Sequence, residues 1–277
     1  MIYAVHTDKG TVKKMNQDSA LVKKAATEHG DILFAVVCDG MGGLSYGELA
    51  SAETVEAMQE WFSADLPCIA AEGLSTGKLK RSLNDRIIAE DETITEFSKK
   101  FEDCGTTLTG IFLCAGRFLC VNVGDSRVYR IRGERIELLT HDHSAVQDMI
   151  DREEITEDQI CTLLLRDHPA VMDMINKGMV TEKQAKAYKM RSVLTQCIGV
   201  EGDVVPAYTE GTYEKDDIFL LCSDGFRHKL TPREIVGFFP LREMRNEKRI
   251  KRCAVRAVEE NIRRGEKDNI TVIAIRT

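Results

Sequence analysis

Apolar residues come in short runs at the start of the chain, at 2–6, 19–23 and 32–38, and their length and bounding turn residues predict three strands. From 46 to 62 the spacing becomes helical. A second long helix follows within 74–100, where Leu79, Leu83, Ile87, Ile88, Ile94 and Phe97 recur every three to four positions, with Pro67 and Gly73 punctuating between the two. A β-meander comes next, at 105–114, 118–123, 127–132 and 135–139, with turns at Ala115-Gly116 and Gly133-Glu134. After 192–198, strands at 204–212, 218–222 and 270–276 and helices at 231–239 and 246–264 complete the pattern. The last strand is apolar and β-branched through its centre, as expected of a buried strand that anchors the C-terminus. Strands and helices fall in blocks, which points to α+β layering rather than a parallel βαβ fold.

Between the meander and the later strands the chain repeats itself. Asp142-His143-Ser144-Ala145-Val146 returns as Asp167-His168-Pro169-Ala170-Val171, and Thr156-Glu157-Asp158-Gln159 as Thr181-Glu182-Lys183-Gln184. Two copies are too few for a solenoid, which needs about three. The segment 142–188 therefore reads as a duplicated helical hairpin inserted beside the meander, the second helix of each copy opening at a Thr cap.

Composition narrows the function classes. A chain of 277 residues, 43% hydrophobic and 30% charged, is ordinary for a protein with a real core. Its net charge of −7 argues against nonspecific nucleic-acid binding, and the Arg/Lys-rich stretch 242–264 carries enough Glu to read as a solvated helix face. Nine cysteines, with no C-x-x-C pair, suggest neither a zinc knuckle nor a disulfide framework and suit a reducing compartment. No run approaches a membrane span and the N-terminus has no leader pattern, so no membrane insertion and a cytoplasmic location are expected.

Candidate chemistry comes from four aspartates at strand edges. Runs 32–38, 119–124 and 218–223 end at Asp39-Gly40, Asp125 and Asp224-Gly225, and Asp268 opens the last strand. Asp-Gly is also ordinary turn chemistry, but aspartate is a poor strand residue and its repetition at strand ends suits a cation site. If these ends converge, the carboxylates repel unless cations sit between them. An all-oxygen site selects Mg²⁺ or Mn²⁺ over zinc, and two such ions can activate a water and hold a phosphoryl group for in-line attack. Other sets are absent: no cysteine has an arginine six residues on, Gly73 to Lys78 is one residue short of a P-loop, and there is no G-x-S-x-G or H-E-x-x-H. His141-Asp142-His143 could hold a metal, yet Asp142-His143 recurs in the repeat and reads as architecture.

Taken in order, the motifs resemble the type 2C metal-dependent serine/threonine protein phosphatases in their compact bacterial form. The matching stretches include Gly10-Thr11-Val12-Lys13-Lys14-Met15-Asn16-Gln17-Asp18, Val37-Cys38-Asp39-Gly40-Met41-Gly42-Gly43, Val123-Gly124-Asp125-Ser126-Arg127, Cys222-Ser223-Asp224-Gly225 and Asp268-Asn269. The resemblance implies a four-layer α-β-β-α sandwich of two antiparallel sheets, one catalytic domain over 1–277 and an enlarged helical flap at 142–188. It also implies hydrolysis of phosphoserine and phosphothreonine in proteins by a water activated at a binuclear Mg²⁺/Mn²⁺ centre. Asp39, Asp224 and Asp268 would be ligands, Gly40 would add its carbonyl, Asp18 would orient waters, and Asp125 with Asp224 would hold a third, weaker ion.

Two positions depart from the family pattern. Lys13 stands where an arginine usually grips the substrate phosphate, offering a point charge without the bidentate fork. Met41 cannot donate a proton, which leaves a water at the metals as acid for the leaving oxygen. Partners implied are phosphoproteins, either substrates of a cognate Ser/Thr kinase or the kinase itself, met by a monomer. Two other readings stay open: a pseudophosphatase that binds phosphoproteins or a regulator without turnover, and a phosphatase of small metabolites.

Overall fold

The computed structural model describes residues 1–42, 46–100, 104–164 and 168–277; Gly43, and Asp167 of the second repeat copy, lie outside the described residues. Its strands are β1 Ile2–Asp8, β2 Asp18–Thr27, β3 Gly30–Gly42, β4 Cys104–Thr106, β5 Leu108–Cys114, β6 Arg117–Val123, β7 Arg127–Arg132, β8 Arg135–Leu138, β9 Ala207–Thr212, β10 Ile218–Cys222 and β11 Ile270–Arg276. The α-helices are α1 Gly47–Glu60, α2 Leu66–Ala71, α3 Thr76–Lys100, α4 Ala145–Asp151, α5 Glu157–Leu164, α6 His168–Asn176, α7 Glu182–Lys189, α8 Asp224–Arg227, α9 Pro232–Phe238 and α10 Glu247–Arg263.

One sheet runs β1-β11-β10-β7-β8 and the other β2-β3-β5-β6-β9, with β4 pairing the end of β3; the pairings are antiparallel. The two-residue period of a strand explains why so many are apolar throughout. In β3, Leu33, Ala35 and Val37 point between the sheets, where they meet Phe219, Leu221, Ile273 and Ile275. The alternate residues Ile32, Phe34, Val36 and Cys38 face outward onto Met58, Trp61, Leu83 and Ile87 of the helical layer. On the far side, Leu220, Cys222, Val272 and Ala274 cover Ile250, Ala254, Ala257 and Val258 of α10. The expected four-layer α+β sandwich is the fold found.

Some local expectations needed correction. Strands β2 and β3 extend well past their apolar runs, because one long ladder from Asp18↔Asp39 to Thr27↔Gly30 continues through polar positions, with Lys23 and Lys24 pointing to opposite faces. The strand expected at 105–114 breaks after Thr106, where the chain turns to bond Asp39. Strand β9 starts at Ala207 rather than at 204. Pro67 does not end the helix. A π turn at Trp61–Asp65 leads into α2, and Pro67 falls in its first turn, where no amide donor is required.

The repeat folds as four short helices, α4 to α7. Ser144 caps α4, while Thr156 and Thr181 exchange capping-box bonds with Gln159 and Gln184. The two copies do not stand apart. Met149, Ile155, Ile160 and Leu163 from one copy and Val171, Ala187 and Tyr188 from the other share a single small core.

Candidate metal centre

Strand ends bring the aspartates together. Asp39, near the end of β3, stands opposite Asp18 at the start of β2. It is held there by two bonds with Thr107, whose N donates to Asp39 O at 2.9 Å and whose Oγ1 accepts from Asp39 N at 3.0 Å. Asp224 opens α8 directly after β10, and Asp268 precedes β11, the strand that pairs β10. Gly225 lets these two turns touch, since a Cβ there would lie 2.2 Å from the Asn269 carbonyl oxygen. Gly40 is more tightly enclosed: its Cβ would lie 2.1 Å from Gly47 O and 2.6 Å from Gln17 O. Asn269 ties the loop bearing Lys13 to β11, accepting from Gln17 N and donating to Lys9 O and Met15 O at 2.9–3.0 Å.

Electrostatics at this edge are unfavourable for the protein alone. Burial, followed by the fields of Asp18, Asp224, Asp125 and Asp268, pushes the Asp39 carboxyl well above the usual carboxylate range. Asp18 is pushed up to about 7, chiefly by burial, against the hydrogen bonds from Thr271 and Ser223. Asp125 rises to about 6 through burial and Asp224, with Arg227 opposing. The buried oxygens Asp18 Oδ1 and Asp224 Oδ1 accept no hydrogen bond from the protein. A protein cation already sits at this edge: Lys13 Nζ lies 2.7 Å from Asp268 Oδ1, and the fields of Asp268, Asp39 and Asp224 raise its pKa against its own burial.

Among the described residues no three His, Cys, Asp or Glu side chains stand ready at metal-ligand spacing. The fit to a divalent ion rests instead on the donor set: clustered carboxylates, buried oxygens without donors, and an ammonium drawn among them. A cleft of about 700 Å³ opens over this edge, lined by Lys13, Asp224 and Asp268, by Leu164 and Tyr188 of the repeat segment, and by Arg191 just after it.

The remaining candidates separate. His141 bonds Asp151, Asp142 bonds Arg127, and His143 Nδ1 faces Gly124 N, so that trio converges on no common point. Ser75 caps α3 and Lys78 pairs with Glu72 in place of any P-loop role. Among the described residues the cysteines form no disulfide. Arg227, His228 and Glu266 escaped the sequence reading, although all three touch the site's edge. Arg227 pairs with Asp125, and His228 bridges Asp224 and Glu266. The one available signal was an Arg-His pair close behind Asp224-Gly225.

A two-sheet sandwich with carboxylates gathered at one edge is the architecture of a metal-dependent phosphatase class. The chain belongs to the protein phosphatase 2C family, whose model matches residues 6–263. It is 26% identical over 271 residues to the serine/threonine phosphatase stp of Listeria welshimeri, covering 97% of this chain and 93% of that one. The serine/threonine phosphatase PstP/Ppp of Mycobacterium tuberculosis superposes with a TM-score of 0.73 at 26% identity, covering 98% of this chain and 96% of that one. A second solved structure, the catalytic domain of PstP in complex with two manganese ions, superposes with a TM-score of 0.70 at 25% identity over 98% and 96% of the two chains. Among the described residues no helix is long and apolar enough to cross a membrane.

Proposed function

We propose that this protein phosphatase hydrolyses phosphoserine and phosphothreonine in proteins at two divalent cations, Mg²⁺ or Mn²⁺. Asp39, Asp224 and Asp268 with the Gly40 carbonyl would hold them. The observation that carries this is the convergence of four carboxylates, Asp18 included, on one sheet edge with two buried oxygens left without donors. The manganese-bound relative supports the choice of ion. Bound there, the cations supply Lewis-acid polarisation of the phosphoryl oxygens and of water.

The chain's own residues do the rest. Asp18, fixed by Ser223 Oγ at 2.9 Å, keeps its second oxygen available to accept a proton or orient a water. Lys13 supplies the positive charge for the substrate phosphate at the mouth of the cleft. The whole chain acts as one catalytic domain, with 142–188 as its flap and Leu164, Tyr188 and Arg191 facing the incoming substrate. Its partners are cytoplasmic phosphoproteins, substrates of a Ser/Thr kinase or that kinase, met by a monomer.

The test is hydrolysis of a phosphothreonine peptide with Mn²⁺, with and without chelator, for wild type and Asp224→Asn. Turnover is expected to need the metal and to collapse in the variant. Metal-independent turnover, or full activity in Asp224→Asn, refutes the proposal.

A further inference from the structure

Asp125 was expected to share a third ion with Asp224, but one oxygen of its carboxylate already accepts from Arg227. Arg227 Nη2 donates to Asp125 Oδ2 at 3.0 Å and to Asp125 O at 3.2 Å, and lies 3.6 Å from Asp142 Oδ2. Asp142 is in turn gripped by Arg127, through Nε at 2.9 and 3.1 Å and Nη2 at 2.8 Å. The Arg227 and Asp125 side chains are only 13% and 10% exposed. Across the same gap His228 Nε2 lies 3.3 Å from Asp224 Oδ2. Both carboxylates that border the location therefore already face protein nitrogens.

We propose that Arg227 takes the place of a third cation at Asp125, so that this chain binds two divalent ions and not three. The inference rests on the metal reading above and sharpens it. A guanidinium keeps its charge throughout the pH range of a folded protein, so it cannot step aside by losing a proton. Its Nε is already buried without a partner, and giving up Asp125 would remove two of its remaining bonds. An ion seated on Asp125 would also face that fixed positive charge at close range. At an effective dielectric constant near 20, a unit charge about 4 Å away weakens cation binding by roughly a thousandfold or more.

The test counts ions. Metal-stripped full-length protein is titrated with Mn²⁺ and free Mn²⁺ is followed by electron paramagnetic resonance, with thermal melts to confirm folding. Wild type is expected to bind two ions per chain and Arg227→Gln three. A count of three in wild type, or of two in folded Arg227→Gln, overturns the proposal. Asp125→Asn supplies a second route that does not depend on how well the Arg227 variant folds. It is expected to keep two ions with unchanged affinity, and loss of an ion or weakened binding overturns the proposal. Failure of the underlying reading looks different: wild type would then bind no ion at all, whereas a count of three removes only the role given to Arg227.

Discussion

Replacing Gly40 by alanine adds one carbon at the tightest point of the site. That carbon would lie 2.1 Å from Gly47 O, 2.5 Å from Gly47 C and 2.6 Å from Gln17 O, all backbone atoms that no rotamer change can move. Ordinary contact requires more than an ångström of further separation, so either the start of α1 or the end of β3 must shift. A shift of β3 also strains the bond from Gly40 N to Gln17 O, now 3.0 Å, and displaces Asp39 and the Gly40 carbonyl together. Overpacking of this kind costs about 1–3 kcal/mol, which at roughly 2–4 °C per kcal/mol for a chain of this size predicts a Tm lower by about 2–12 °C. Mn²⁺ affinity, read by titration of the stripped protein, is expected to fall by about tenfold or more, equivalent to about 1.4 kcal/mol. A Tm and an affinity both indistinguishable from wild type would refute the role given to Gly40 and the backbone contact behind it.

Three further outcomes are expected. Burial alone would raise the Asp142 carboxyl, but Arg127 and Arg227 outweigh it and hold it below the usual carboxylate value. Its stabilising contribution is therefore fully present above the unfolded value of about 3.9 and is lost as pH falls through the lower folded value. Asp142→Asn should cost about 3–5 kcal/mol at neutral pH, the scale for breaking a buried ion pair, and the gap from wild type in denaturant melts should narrow below about pH 4; a gap that does not change with pH counts against the pairing. Lys13→Arg should raise kcat/KM on a phosphopeptide several-fold, because a fork replaces a point charge; unchanged kinetics place Lys13 outside the phosphate site. Deleting 163–186 should leave hydrolysis of small aryl phosphates intact while altering preference among phosphoproteins, and it should lower Tm because Leu163 and Val171 leave the core shared by both repeat copies. If both activities are unaltered, the flap has no part in substrate choice.

Much of the layering could be read along the chain. Run 32–38 is apolar on both faces, and 270–275 is so except at Thr271, which a strand buried between two layers requires, and the helical spacing of Leu79, Leu83 and Ile87 matches the face that meets the sheet. Pro67 misled because its effect depends on its position in a helical turn, and that position was set by the π turn before it. The hairpin repeat was visible as a duplication, but nothing local said that the copies would share one core.

The aspartates mark the same division. That Asp39, Asp125, Asp224 and Asp268 sit at strand ends is a property of the sequence, since each interrupts or borders an apolar run in which a carboxylate is out of place. Which of them remain open to a cation is decided by contacts between segments far apart in the chain. Asp268 meets Lys13 from the opposite end of the chain, and Asp125 meets Arg227 from 102 positions away. Local pattern sets where a charge stands on its own element; only the packing of elements sets which opposite charge, or which ion, it faces.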